Sequence, residues 1–386
     1  MCGGGLIRSV GIPQLAGPHL MKATRVALSV IGVASFTNKV AATDARSMKR
    51  TSMTSWFSRA QRVLLLQQLI RRLRSSGWFR VAISLGLVVA CGQSKGRSGA
   101  PKSEGALMTP QELQALPSKT ADERAAYGKD SSQYGELRVP AGLGPHPVVV
   151  LIHGGCFKAA YATLRDLAPM GEALKADGIA TWNIEYRRLG EPGGGWSGTY
   201  LDVARGVDHL RTMARKHNLD LGRVVLLGHS AGGHLGMWAA ARPRVPAGSP
   251  LYTPDPLPVR GVIDLAGPLD LTANIPGYEH LCRDTVITAL LGGTPTTMPE
   301  RYAQASPIKL LPLGIPQVLV IGDHEDFVPR PFVEAYAAAA ARAGDSVRII
   351  TIPSAGHFEI ASPRTTAWPQ VEAAIRSLLD GHLPAR

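Results

Sequence analysis

Six short, continuous runs of aliphatic residues constrain this chain more than any other feature: "PVVVLI" (147–152), "IATWNI" (179–184), "RVVLLG" (223–228), "VRGVIDL" (259–265), "PQVLVIG" (316–322) and "SVRIITI" (346–352). Runs that are apolar throughout, not at every second position, suit strands buried on both faces, as in a parallel sheet. Helical stretches at 163–176, 199–217, 231–241, 330–343 and 366–380 lie between or beside them. Such alternation implies an α/β fold with a mostly parallel central sheet and helices on both faces. "GELRVP" (135–140) alternates as an edge strand would, and "TPQELQAL" (109–116) reads as a short helix capped by Thr109 with Pro110 in its first turn. The stretch 268–311 is rich in Pro and Gly and weakly periodic, and reads as a small cap-like excursion over the strand ends.

Charge divides the chain. Of 42 Lys/Arg and 29 Asp/Glu, residues 1–95 hold 14 bases and the single acid Asp44, leaving 28 of each beyond. The net charge of +13 therefore belongs to a basic leader, and the folded part has no excess with which to bind nucleic acid. The leader closes with "RRLRSSGWFR" (71–80), the apolar "VAISLGLVVA" (81–90) and Cys91. Ten apolar residues are too few for a spanning helix, which needs about 20, but a charged flank, short apolar core and small residue before the cut suit an export signal. Val88-Val89-Ala90-Cys91 resembles a bacterial lipoprotein signal, which implies lipidation at Cys91 and a membrane tether, with release into the periplasm or medium as the alternative. Residues 1–52 exceed what such a signal needs, so an internal start such as Met53 is expected; an organelle transit peptide and an uncleaved anchor are the rival readings. The expected organisation is a leader over 1–91, a flexible linker over 92–105 and one catalytic domain over 106–386.

Four cysteines are too few for a disulfide framework in a chain this long. Cys156 and Cys282, the two beyond the leader, read as separately buried thiols, with pairing open if the domain is exported. No spacing of Cys and His suggests a metal site, and no cofactor is expected.

The chemistry is concentrated in "LGHSAGG" (227–233), where a buried strand gives way to a helix. A serine at that junction sits on a strained turn with its hydroxyl above the strand ends, and Gly228 and Gly232 let strand and helix pass closely. Ser230 is thus the candidate nucleophile. The amide of Ala231, opening the helix, points at the same spot. After an earlier strand, "LIHGGCF" (151–157) offers the amides of Gly154, Gly155 and Cys156 to complete an oxyanion hole with Ala231; losing one such donor typically costs ~3–4 kcal/mol of barrier. His153 reads as structural, holding the loop by hydrogen bonds.

In this kind of site an acid and then a histidine follow the serine. Among His234, His280, His324, His357 and His382, only His357, in "TIPSAGHFEI" (351–360), lies in a loop after the last strand. His234 reads as a packed core residue. "VIGDHEDFVP" (320–329) offers Asp323, Glu325 and Asp326 as the acid; the stretch from Gly322 to Pro329 resembles that of related hydrolases, which implies Glu325, with Asp326 one step away.

With these residues in place the domain resembles the α/β-hydrolase superfamily, closest to its esterase/lipase branch with an HGG oxyanion loop, in the neighbourhood of kynurenine formamidases and feruloyl- or acetyl-esterases. "YGKDSSQYGELRVP" (127–140), "HGGCF", "NIEYRRLG", "GHSAGGH", "ASPIKLLP" and "GHFEI" carry the likeness. The branch commonly has an aromatic residue after HGG and an Asp as the acid; here Cys156-Phe157 and Glu325 stand instead. The resemblance implies a serine hydrolase cleaving small-molecule carboxylic esters through a Ser230–His357–acid triad and an acyl-enzyme. An amide hydrolase of formamidase or peptidase type remains open, as does an idle binding protein on the same fold. The Gly-rich "LGEPGGGWSGTY" (189–200) is expected to wall the pocket.

Overall fold

The apolar runs become strands of one sheet. The computed structural model describes residues 106–384 except Asn274 and Asp284; the leader with Cys91 and the linker lie outside the described residues. The strands are β1 (Glu123–Ala126), β2 (Tyr134–Arg138), β3 (His146–Ile152), β4 (Ala180–Ile184), β5 (Leu219–His229), β6 (Gly261–Leu265), β7 (Gln317–Gly322) and β8 (Val347–Ile352). Their order is β1-β2-β4-β3-β5-β6-β7-β8. β1 pairs antiparallel with β2 and β2 with β4, while every pair from β4 to β8 is parallel. Val148–Ile152 and Val224–Leu227 are fully buried, as strands covered by helices on both faces must be.

Both edges differ from the sequence reading. The alternating "GELRVP" is not an edge strand: β2 is flanked by β1, whose "ERAA" is too short and polar to signal a strand. β8 reads as fully buried but closes the opposite edge, and five of its six residues are only partly buried.

The helices are α1 (Pro110–Gln114), α2 (Ala168–Ala176), α3 (Gly198–Asp208), α4 (Leu210–His217), α5 (Ala231–Ala240), α6 (Ile275–Cys282), α7 (Val286–Leu291), α8 (Pro299–Ala305), α9 (Arg330–Arg342) and α10 (Trp368–Leu379). Thr109 caps α1 through a reciprocal capping box with Glu112. The stretch 199–217 is two helices parted at His209, whose ring stacks on Trp182 at 5.8 Å. The cap-like excursion holds α6, α7 and α8, each of eight residues or fewer, too short to write a clear helical period. Beneath it, buried Arg242 forms a bidentate pair with Asp208 at 2.7 and 2.8 Å, joining the turn after α5 to the end of α3. Among the described residues no helix is long and apolar enough to cross a membrane.

Candidate active site

The C-terminal ends of the parallel strands converge on one place, where open α/β sheets put their sites. Ser230 follows β5, Gly154 follows β3, Glu325 follows β7 and His357 follows β8. Ser230 sits between β5 and α5 at φ 55° and ψ −121°, a conformation rare for a side chain other than glycine's. Neighbouring backbone over-determines it: its N–H donates to Leu265 O at 2.8 Å and its carbonyl accepts from His234 N at 3.1 Å. The turn closes because Gly232 has no side chain; a Cβ there would lie 2.0 Å from Ile152 O and 2.3 Å from His153 O.

Three successive residues of the loop after β3 have positive φ: Gly155 at 99°, Cys156 at 52° and Phe157 at 56°. Such a run turns successive amides inward into a concavity suited to an anion. Ala231, the first residue of α5, has an N–H with no acceptor inside its helix. Gly154 lies directly against the turn at Ser230, its missing Cβ 3.0 Å from Ser230 Cβ. Ser230, His357, Gly154, Gly155 and Cys156 share a cavity of about 420 Å³ that Phe327 and Phe358 also line.

His357 and Glu325 meet. The imidazole Nδ1–H donates to the Glu325 carboxylate, both oxygens lying at 2.9 Å, and the two side chains are 3% and 1% exposed. Phe327 stacks on the His357 ring at 4.1 Å and Phe358 packs edge-on at 5.1 Å, holding it in orientation. Glu325 Oε1 also accepts from the amides of Phe327 and Val328 at 2.7 and 3.1 Å. Asp326 is exposed on the same turn, and Asp323 accepts from Ala355 N at 3.2 Å, joining the β7 turn to the His357 loop.

The other histidines have different work. His153 packs on Tyr186, its ring nitrogens 2.9 Å from Gly154 O and 2.8 Å from Glu185 Oε1. Burial opposes ionisation of Glu185, but His153, Arg188 and the Leu164 amide outweigh it and hold its carboxyl below the usual range. This network ties the loop after β3 to the end of β4. His234 donates from Nδ1 to Pro268 O at 2.8 Å and accepts from Tyr200 OH at 3.0 Å, and burial lowers it to about 4. His229 donates to His357 O at 2.8 Å; burial, and then the nearby His357, lower it to about 3. His280, His324 and His382 are exposed.

Three features correct or extend the sequence reading. Cys156 and Cys282 are not separate thiols but a disulfide, with sulfurs 1.97 Å and Cα atoms 5.8 Å apart, joining the loop after β3 to α6. Residues 126 apart carry no pairing signal in sequence; only the excursion's path over the strand ends brings them together. The Gly-rich loop 189–200 lines no part of the cavity around Ser230; it folds back instead, Trp196 N donating to Leu290 O at 2.7 Å. Sequence reasoning also missed Tyr278 of α6, whose hydroxyl lies 3.2 Å from Ser230 Oγ, and Asp264 at the end of β6. Asp264 is fully buried beside the turn at Ser230, one oxygen accepting from Gly267 N and the other without a hydrogen-bond partner among the described residues; burial raises its carboxyl well above the ordinary range. Among the described residues, no group of three or more His, Cys, Asp and Glu could hold a metal ion.

Residues 138–334 match the sequence model of the BD-FAE family. Esterase LipC of Mycobacterium tuberculosis (strain ATCC 25618 / H37Rv) is 27% identical over 247 residues, which are 61% of this chain and 59% of the relative; the chain thus spans less than two thirds of that relative's length. Among solved structures, a truncated carbohydrate esterase from gut microbiota shares 20% identity at a TM-score of 0.57, over 68% of this chain and 98% of that one. Esterase B from Lactobacillus Rhamnosis (HN001) shares 19% at 0.58, over 70% and 89%. The propionate-bound Est2 esterase of Thermogutta terrifontis shares 21% at 0.54, over 68% and 96%. These likenesses show the α/β-hydrolase fold, and with the family match covering residues 138–334 the chain belongs to the BD-FAE family of α/β-hydrolase esterases.

Proposed function

We propose that the protein is a serine hydrolase of carboxylic esters, with Ser230 as nucleophile, His357 as general base and acid, and Glu325 as the carboxylate that orients it. The observation that carries this reading is the placement of a strained Ser230 and a Glu325-bound His357 on one cavity wall. The family match and the esterases among its relatives support the same chemistry.

Ser230 Oγ attacks the ester carbon while its proton passes to His357 Nε2. Glu325 holds Nδ1 protonated, which leaves Nε2 free to accept, and stabilises the imidazolium that results. The carbonyl electron pair moves onto oxygen, where the amides of Gly155, Cys156 and Ala231 receive it. Collapse expels the alcohol, which takes the proton from His357. Water, deprotonated by the same imidazole, then releases the acid.

Export is part of the proposal. The Cys156–Cys282 disulfide supports it, since such bonds persist in oxidising compartments, and lipidation of Cys91 would tether the exported chain. Metabolic labelling with palmitate, lost in Cys91→Ser, tests the tether.

The activity test compares p-nitrophenyl esters of rising acyl length with N-formylkynurenine, for the full chain and Ser230→Ala. Ester turnover abolished by the substitution supports the reading. Turnover of the formyl amide alone moves the protein to amide hydrolysis. No Ser230-dependent turnover, together with no labelling of Ser230 by a fluorophosphonate, refutes it.

A further inference from the structure

The proposed triad and oxyanion loop leave a buried hydroxyl at Ser230 without a role. Tyr278 is fully buried on α6, its ring tilted against Phe157 at 6.3 Å and its hydroxyl 3.2 Å from Ser230 Oγ. Four residues further along the same helix, Cys282 is bonded to Cys156 of the oxyanion loop. Positions i and i+4 lie on one helix face. One face of α6 therefore carries both a hydroxyl on the nucleophile and a covalent tie to the loop proposed to receive the oxyanion.

We propose that Tyr278 is a further catalytic residue, donating a hydrogen bond first to Ser230 Oγ and then to the oxyanion, and that the Cys156–Cys282 disulfide holds its hydroxyl in place. This rests on the serine-hydrolase reading above. The direction of the bond follows from the proton inventory. In the serine-hydrolase reading the Ser230 hydrogen passes to His357, which leaves Oγ only lone pairs to offer Tyr278, so the phenol is the donor. Burial pushes the phenol further above its ordinary range, so it remains protonated at working pH.

When the Oγ lone pair bonds to the ester carbon, Oγ becomes a poor acceptor, and the carbonyl oxygen, one bond angle away, gains the negative charge. The Tyr278 hydrogen follows that charge. It is shared and never transferred: His357 takes the serine proton and gives it to the alcohol, and the phenol ends each half-reaction as it began. The tie matters because α6 has only eight residues, and helices that short are marginal without outside contacts. Cys282 anchors it to the loop that must move in register with it.

The test uses the full chain in its oxidised form, with Tyr278→Phe, Cys282→Ser, their combination and Ser230→Ala, each checked by circular dichroism and thermal unfolding. With p-nitrophenyl acetate, Tyr278→Phe is expected to lower kcat about a hundred- to a thousandfold, the range for losing one oxyanion donor, with KM little changed. Cys282→Ser is expected to lower kcat as well, and the double variant no further than the worse single one, because both remove the same hydrogen bond. If Cys282→Ser does not fold, graded reduction of the folded protein replaces it, slowing wild type but not Tyr278→Phe. A Tyr278→Phe kcat within about twofold of wild type overturns the catalytic role, and a double variant whose losses multiply overturns the positioning role. Persistent turnover in Ser230→Ala would instead sink the reading of the site on which this inference stands.

Discussion

Replacing Glu325 by Gln changes one atom and leaves the packing intact, yet the hydrogen bonds around it leave the new side chain only one orientation. Oε1 accepts from Phe327 N at 2.7 Å and Val328 N at 3.1 Å, so that position must remain an oxygen. An NH2 group there would face two N–H donors. The new NH2 therefore takes the Oε2 position, 2.9 Å from His357 Nδ1. Oε1 still lies 2.9 Å from Nδ1, but the NH2 at the same distance opposes a hydrogen there and can donate only when Nδ1 carries none, which favours the tautomer protonated on Nε2. A protonated Nε2 cannot accept the hydrogen of Ser230. We expect kcat on p-nitrophenyl acetate to fall by about four orders of magnitude, the loss associated with a wrong tautomer, or about 5.4 kcal/mol of barrier. Nitrogen-15 NMR of the imidazole should show the proton moving from Nδ1 to Nε2. Asp326→Asn, on the exposed neighbour, should leave kcat within about twofold. If Glu325→Gln keeps more than about a tenth of wild-type kcat, or Asp326→Asn falls as far, the tautomer argument is wrong.

Gly232→Ala would press a methyl to 2.0 Å from Ile152 O, so β3 and α5 must part; we expect poor folding or a loss of several kcal/mol in urea unfolding, whereas Gly248→Ala, with open space around it, should cost under about 1 kcal/mol. Arg242→Met leaves Asp208 without its bidentate partner and should cost about 3 kcal/mol, the low end for a broken buried pair because Asp208 is 25% exposed; an unchanged denaturation midpoint would refute this. His229 and His234, held at about 3 and about 4 against an ordinary 6.5, are neutral when folded and protonated when unfolded across that interval, so their contribution to stability is lost as pH falls below 6.5. Asp264 has the opposite sign: raised by burial, it keeps its proton in the fold while the unfolded chain loses it above 3.8, so its contribution is lost as pH rises toward its folded value. Asp264→Asn should therefore gain on wild type by up to about 1.4 kcal/mol per pH unit as pH rises above 3.8 in denaturant titrations, and a constant difference would refute the assignment.

The sheet and its helices were legible because burial on both faces demands unbroken apolar runs, a local property that five residues can display. The turn at Ser230 was legible for a related reason: Gly228 and Gly232 mark a close approach that no larger residue permits, at a place where strand passes to helix. His357 and Glu325 followed from their positions after the last two strands, and only their contact with each other required coordinates. Local sequence did not reveal the edges, because whether an apolar strand such as β8 is half-buried depends on what lies beside it. The Gly-rich loop 189–200 went astray because its residues describe how it can turn, not where the turn leads.

What the sequence determined by itself was the α/β class, the tight turn at Ser230 and the candidates for a triad, since each is written in neighbouring residues. Tertiary structure alone decided that Cys156 meets Cys282 across 126 residues, that Asp264 is buried beneath the turn, and that Tyr278 rests on Ser230. The disulfide and the Tyr278 contact join distant parts of the chain through the path of one irregular excursion. No periodicity records such a path, because its short helices are placed by what they pack against.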